Sequence, residues 1–257
     1  MIDDGFEIQV LSSTANPQLV SYLAMHQDYS EGFVGDLVGD GQEEGFVRDP
    51  FRDGFLGERV AGERLVRLCL SRGHWGVIEH PQMVVAVKGF PHSTMQQLRT
   101  HRHLSFDVQS GRYTGKRLVD FVKGADDHMG VEDLFWVRKP GVYVDRMGNR
   151  LVWNALDRER EYQRLITVCQ QYAEAVDEGM PYEMARDLYI PYCVRQNFVM
   201  SGNLRAILHL MELRGTADAE LECQEFTRLM KEVVRDWVPE VFEWWEKVRD
   251  GKNRRSP

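Results

Sequence analysis

Strand-like and helix-like patterns are segregated along this 257-residue chain, and that segregation limits the folds open to it. Runs rich in β-branched and aromatic residues gather in the middle, at 81–87 and near 105–108, 118–122 and 134–137. After Asp157 the periodicity turns helical almost to the end, over 158–176, 182–189, 204–213 and 220–248, the last broken at Pro239. Earlier helices are expected from Asn16-Pro17 with Leu19, Leu23 and Met25, from Leu56 to Leu70, and from Pro91 to about Arg102. The arrangement predicts an α+β class: a central antiparallel or mixed sheet flanked by helices, with a helical C-terminal half. No repeat or linker divides the sequence, so a single domain over 1–257 is expected, with 251–257 as a frayed tail.

The formal net charge of −8 argues against a general nucleic-acid binder, which needs a basic footprint, but leaves room for a local basic pocket. Cys69, Cys169, Cys193 and Cys223 lie far apart, without zinc-ribbon or redox spacing, and read as reduced thiols. The acidic start lacks the order of a signal peptide, and no apolar stretch approaches the ~20 residues that span a bilayer. A cytoplasmic protein with no membrane partner is expected. Gly39-Asp40-Gly41 lacks the G-x-G-x-x-G spacing and is surrounded by carboxylates, so the stretch 31–57 reads as a surface loop rather than a phosphate cradle.

Positive charge is concentrated between Gln97 and Tyr113. Arg99, Arg102 and Arg112, with His101 and His103, place rigid cationic forks and imidazoles in one short unit, and Ser110-Gly111 lets backbone N–H groups approach an anion. Such a segment suits a small, planar, phosphorylated ligand; a solvated basic helix end is the plainer alternative. The three arginines would oppose a cation beside His101 and His103, so no metal site is expected there. Farther on, Arg205 and His209 stand four apart and share a helical face that drifts to Glu212, with Leu204, Leu208 and Met211 on an adjacent apolar face. A pocket-lining helix and an ordinary amphipathic helix both fit that pattern.

Four separated segments resemble the flavin-dependent thymidylate synthases. The family signature is Arg-His-Arg, seven residues, then Ser; here it reads Thr100-His101-Arg102, seven residues, then Ser110-Gly111-Arg112-Tyr113. Thr100 fills the place of the first arginine, and Arg99 stands one position earlier. Upstream, Gly73-His74 leading to Glu79-His80 resembles the family's Gly-His segment. Downstream, Ala185-Arg186 to Pro191 and Asn203 to Arg214 resemble its Ala-Arg…Leu-Pro segment and its C-terminal active-site helix.

The resemblance implies reductive methylation of dUMP to dTMP, with methylenetetrahydrofolate as carbon donor, FAD as hydride carrier and NADPH as reductant. It implies a homotetramer with shared active sites; Trp244 and Trp245 fit either such an interface or an anchor to their own core. Position by position, it assigns Gln97, Arg99, Ser110, Gly111, Arg112, Arg186 and Arg214 to dUMP. His74, Thr100, His101, Arg102, Asn203, Arg205 and His209 fall to the flavin. The resemblance makes Arg214 the catalytic group, which would favour the N3-deprotonated ring and so raise electron density at C5. No cysteine nucleophile is implied; Pro191-Tyr192-Cys193 lacks the histidine of a conventional site, with Val194 in its place.

Overall fold

Ten residues from Gln82 to Pro91 form the strand on which the architecture is built, because Met83, Val85 and Val87 alternate inward and leave Gln82 and Lys88 outward. The computed structural model describes residues 5–38, 45–52, 54–145 and 147–252. The elements run β1 (Glu7–Ser13), α1 (Pro17–Tyr29), β2 (Phe46–Arg48), β3 (Phe55–Gly57), α2 (Glu58–Leu68), β4 (Gln82–Pro91) and α3 (His92–Leu98). Then come β5 (Leu104–Val108), α4 (Gly111–Thr114), α5 (Lys116–Val122), α6 (Val131–Leu134), β6 (Gly141–Val144) and β7 (Arg150–Trp153). The chain continues through α7 (Ala155–Asp177), α8 (Tyr182–Tyr189), β8 (Arg195–Asn203), α9 (Leu204–Arg214), α10 (Leu221–Trp237) and α11 (Pro239–Val248). Four strands pair in the order β1-β4-β8-β5 as an antiparallel sheet, and the α+β class with its helix-rich C-terminal half is as the sequence predicts. Gly39-Asp40-Gly41 and residues 253–257 lie outside the described residues.

Two compact units divide the chain. The first holds 5–7, Val87–Leu98 and Asp107–Phe198. Its core joins Leu118, Val119, Leu134, Phe135, Leu165 and Tyr172, with α5, α6 and α8 packed on α7. The segment 116–122 is thus helix, not strand. Leu118 and Val119 are adjacent and both buried, forming the stripe by which α5 packs on α7. Residues 134–137 likewise form only an isolated bridge, Phe135 to Val194, after α6 ends at Leu134.

β8 interrupts the C-terminal half that sequence reads as helical. Its first residue, Arg195, is buried, donating to the carbonyls of Glu132 and Gly89 at 2.8 Å each and lying between the Phe6 and Trp136 rings. A charged residue satisfied in this way hides the strand's inward alternation of Phe198, Met200 and Gly202.

The second unit holds Ile8–Ala86, Arg99–Phe106 and 199–252. Helix α1 begins at Pro17 as expected, but Asn16 makes no side-chain cap. The Glu58 carboxylate caps it from α2, accepting from the N–H groups of Gln18 at 2.6 Å and Leu19 at 2.8 Å. Leu56 belongs to the β2–β3 hairpin, so α2 starts only at Glu58. Pro239 separates α10 from α11, where buried Gln18 accepts from Val241 N–H and donates to Glu240. Trp245 is fully buried and donates to Glu212, so it anchors its own chain.

Candidate functional site

Helix α3 ends at Leu98, so Arg99–His103 form the turn before β5 rather than a basic helix end. The turn's His101 faces α9. Arg214, at the end of α9, donates from Nε to His101 Nε2 at 3.1 Å and from Nη2 to Thr100 Oγ1 at 2.7 Å. An imidazole that accepts at Nε2 must be neutral, with its proton on Nδ1. Burial first, then the charges of Arg214 and His209, push the His101 pKa down to about 4, in accord with that role. The His101 and His209 rings meet edge to face at 5.9 Å. Burial also lowers the His209 pKa.

The position of α9 follows from its start. Asn203 Oδ1 accepts from Ala206 N–H at 2.8 Å, an N-cap, and Leu204 N–H donates to Pro81 at the head of β4. Leu204, Leu208 and Met211 are buried, as the periodicity predicts. The opposite face lines a cavity of about 470 Å³ with Asn203, Arg205, His209 and Glu212. A second cavity, about 270 Å³, is lined by Thr100, His101, Arg102, His209 and Arg214; both share His103, Ala206 and His209. The structure therefore brings six of the seven flavin-assigned residues, and Arg214, around adjoining space. His74 is the exception. It is exposed, hydrogen-bonds the Tyr29 hydroxyl through Nδ1 at 2.7 Å, and lines neither cavity.

Charges in the larger cavity are paired. Arg205 meets Glu79 at 2.6 Å with both side chains about half exposed, an ion pair that an incoming anion can exchange at small cost. Glu212 is fixed: it accepts from Arg249 Nε and Nη2 at 2.8 and 2.9 Å and from Trp245. Arg249 also lies over the Trp75 ring at 5.1 Å, and both line this cavity. Sequence reasoning missed Arg249, because its place depends on a fold-back of α11 that spacing does not encode. Asn203, Arg205, His209, His103 and Arg249 form a donor set suited to a diphosphate and a planar ring carbonyl, and FAD fits it.

In the first unit, Arg186 on α8 crosses Gly111 so closely that a Cβ there would stand 2.9 Å from Arg186 Cδ. That places Arg186 with Ser110, Gly111 and Arg112. The Ser110 side chain makes no cap to α4, and Arg112 is exposed beside the Tyr113 ring. Arg186 pairs with neighbouring Asp187 at 2.6 Å. Gln97 is half-buried on α3; Arg99, in the second unit, is exposed and lines neither cavity described above.

All four cysteines are free thiols. Burial pushes Cys169 and Cys223 up to about 12, Cys193 to about 11, and raises Cys69. At each of them burial opposes the thiolate. Among the described residues no group of three His, Cys, Asp or Glu is placed to hold a metal ion, and no helix is long and apolar enough to cross a membrane.

The family model described as thymidylate synthase complementing protein (Thy1) matches residues 9–240. A flavin-dependent thymidylate synthase of Haloarcula marismortui is 31% identical, over 98% of this chain and 100% of its own. One from Halobacterium salinarum is 30% identical, over 97% and 99%. The fold is shared with thymidylate synthase X from Helicobacter pylori, solved with FAD and dUMP (TM-score 0.61, 16% identity, 93% and 97% covered). It is shared also with the UMP/dUMP methylase PolB from Streptomyces cacaoi, solved with 5-Br UMP (TM-score 0.67, 19% identity, 96% of each chain).

Proposed function

The chain belongs to the flavin-dependent thymidylate synthase family, and from that premise we propose that it converts dUMP to dTMP with methylenetetrahydrofolate as carbon donor, FAD as hydride carrier and NADPH as reductant. The observation that carries this reading is the convergence of Arg214, neutral His101 and the α9 face on adjoining cavities. When bound, FAD supplies hydride, drawn from NADPH, to complete the methyl group on the folate-derived carbon.

The protein's part is binding and polarisation. Asn203, Arg205 and His209, with Thr100, His101 and Arg102, hold the flavin, and His74 contributes from its exposed position. Arg205 exchanges Glu79 for an anionic group of the cofactor. Ser110, Gly111, Arg112 and Arg186 hold the nucleotide phosphate, with Gln97 and Arg99 near the nucleotide. Arg214 faces the uracil edge and stabilises negative charge on the ring, which activates C5 without covalent attack. The high thiol pKa values support a route with no cysteine nucleophile.

The whole chain acts as a single catalytic domain in a homotetramer with shared sites. It works in the cytoplasm, consistent with four free thiols, and takes no nucleic-acid or membrane partner, consistent with its net charge of −8. The test is mass spectrometry of product after incubation with dUMP, methylenetetrahydrofolate, NADPH and FAD, omitting each in turn. Formation of dTMP only in the complete mixture supports the reading; dTMP formed without flavin, or none at all, contradicts it.

A further inference from the structure

The first position of the signature is where this chain departs from the pattern it otherwise resembles, and the structure shows what the replacement touches. Thr100 Oγ1 accepts from Arg214 Nη2 at 2.7 Å while the adjacent His101 Nε2 accepts from Arg214 Nε at 3.1 Å. Nε and Nη2 bound one edge of the planar guanidinium, so two successive residues of a single turn grip that edge side-on. All three residues line the same cavity of about 270 Å³.

We propose that Thr100 is a positioning residue for Arg214: with the His101 ring, its hydroxyl fixes the guanidinium plane in the orientation presented to the pyrimidine of the nucleotide. An arginine at this position could not do so. It carries five donors and no acceptor, and would set a second permanent cation against Arg214. The first signature position therefore works here through a contact within the protein, in addition to the flavin contact proposed for it. Removing the hydroxyl takes from the Arg214 guanidinium an acceptor that holds its plane before the ligand arrives. The inference rests on the role given to Arg214 above and deepens it.

The test compares Thr100→Val, Thr100→Ser and Thr100→Arg in the FAD-loaded full-length protein. Turnover, dUMP affinity by calorimetry and FAD affinity by fluorescence are measured, along with thermal unfolding of each protein without FAD. Valine keeps the shape and loses the acceptor. It is expected to lower kcat and weaken dUMP binding by about tenfold each, about 1.4 kcal/mol apiece, with FAD affinity, to which Thr100 also contributes, falling by much less than dUMP affinity and the unfolding temperature unchanged. Serine restores both to near wild type; arginine does not. Valine matching wild type in kcat and dUMP affinity overturns the proposal. So does valine losing FAD in the same proportion as dUMP, since that marks a general distortion of the turn. If the wild-type protein itself makes no dTMP, the reading of the site fails instead, which the omission series above registers separately.

Discussion

Arg214 on α9 and His101 in the turn before β5 are 113 positions apart, yet the guanidinium Nε donates to the imidazole Nε2 at 3.1 Å. The contact ties the charge state of one residue to the role of the other. A protonated His101 has no lone pair to offer and would repel Arg214. The geometry therefore requires a histidine that stays neutral well below its ordinary range, and burial beside Arg214 and His209 supplies it.

His101 is expected to titrate near pH 4 in the folded protein, against about 6.5 in an unfolded chain. Between those values the unfolded state takes up a proton that the native state does not. Stability is then unaffected by this group above pH 6.5 and falls as pH drops towards 4. Groups facing the ring are Arg214 and His209, neither of which favours its protonation. NMR titration of the imidazole checks this; a midpoint near 6.5 would contradict the neutral acceptor.

Arg214→Ala is expected to lower kcat by roughly 10²–10³-fold, the scale of removing one electrostatic group at a developing charge. FAD retention should change far less, because Asn203, Arg205 and His209 remain. Steady-state kinetics beside a flavin binding isotherm separates the two; parallel losses would make Arg214 a cofactor anchor only.

Gly111→Ala inserts a Cβ 2.9 Å from Arg186 Cδ and should push that side chain off the phosphate subsite. The expected result is a rise of roughly tenfold in KM for dUMP, about 1.4 kcal/mol, with kcat little changed. Unchanged KM would remove Gly111 and Arg186 from the phosphate site.

Cys193→Ala should keep most of the activity, since burial first, and then the Glu161 carboxylate, push this thiol up to about 11. A folded variant without activity would restore the thiolate mechanism. Glu58→Ala, by contrast, removes the cap of α1 and should cost about 1 kcal/mol of stability without touching dUMP binding; thermal unfolding reads it directly.

The parts of the fold legible in sequence were those with one strong period. Helix α8 falls where its spacing places it, β4 shows its alternation, and Pro239 breaks the last helical run. Strand β8 was hidden by Arg195, Gln196 and Asn197, whose side chains find partners distant in sequence, at Glu132 and Gly89, at Gln109 and at the Gly89 N–H. Helix α5 carried β-branched residues that favoured strand until α7 supplied a face for Leu118 and Val119. At the site, the segment around His101 and the face of α9 could be read from residue type and spacing. Their convergence through Arg214 could not, nor could Arg249 beside Trp75, because both depend on how separate elements return to one another.

The central claim, a flavin site coupled to a nucleotide site, is tested most directly by the absorbance spectrum of the purified protein during anaerobic NADPH addition with and without dUMP. The account predicts flavin bands that bleach, and bleach faster when dUMP is present. A protein that shows no flavin bands even after FAD is supplied, or whose flavin is indifferent to dUMP, would contradict it.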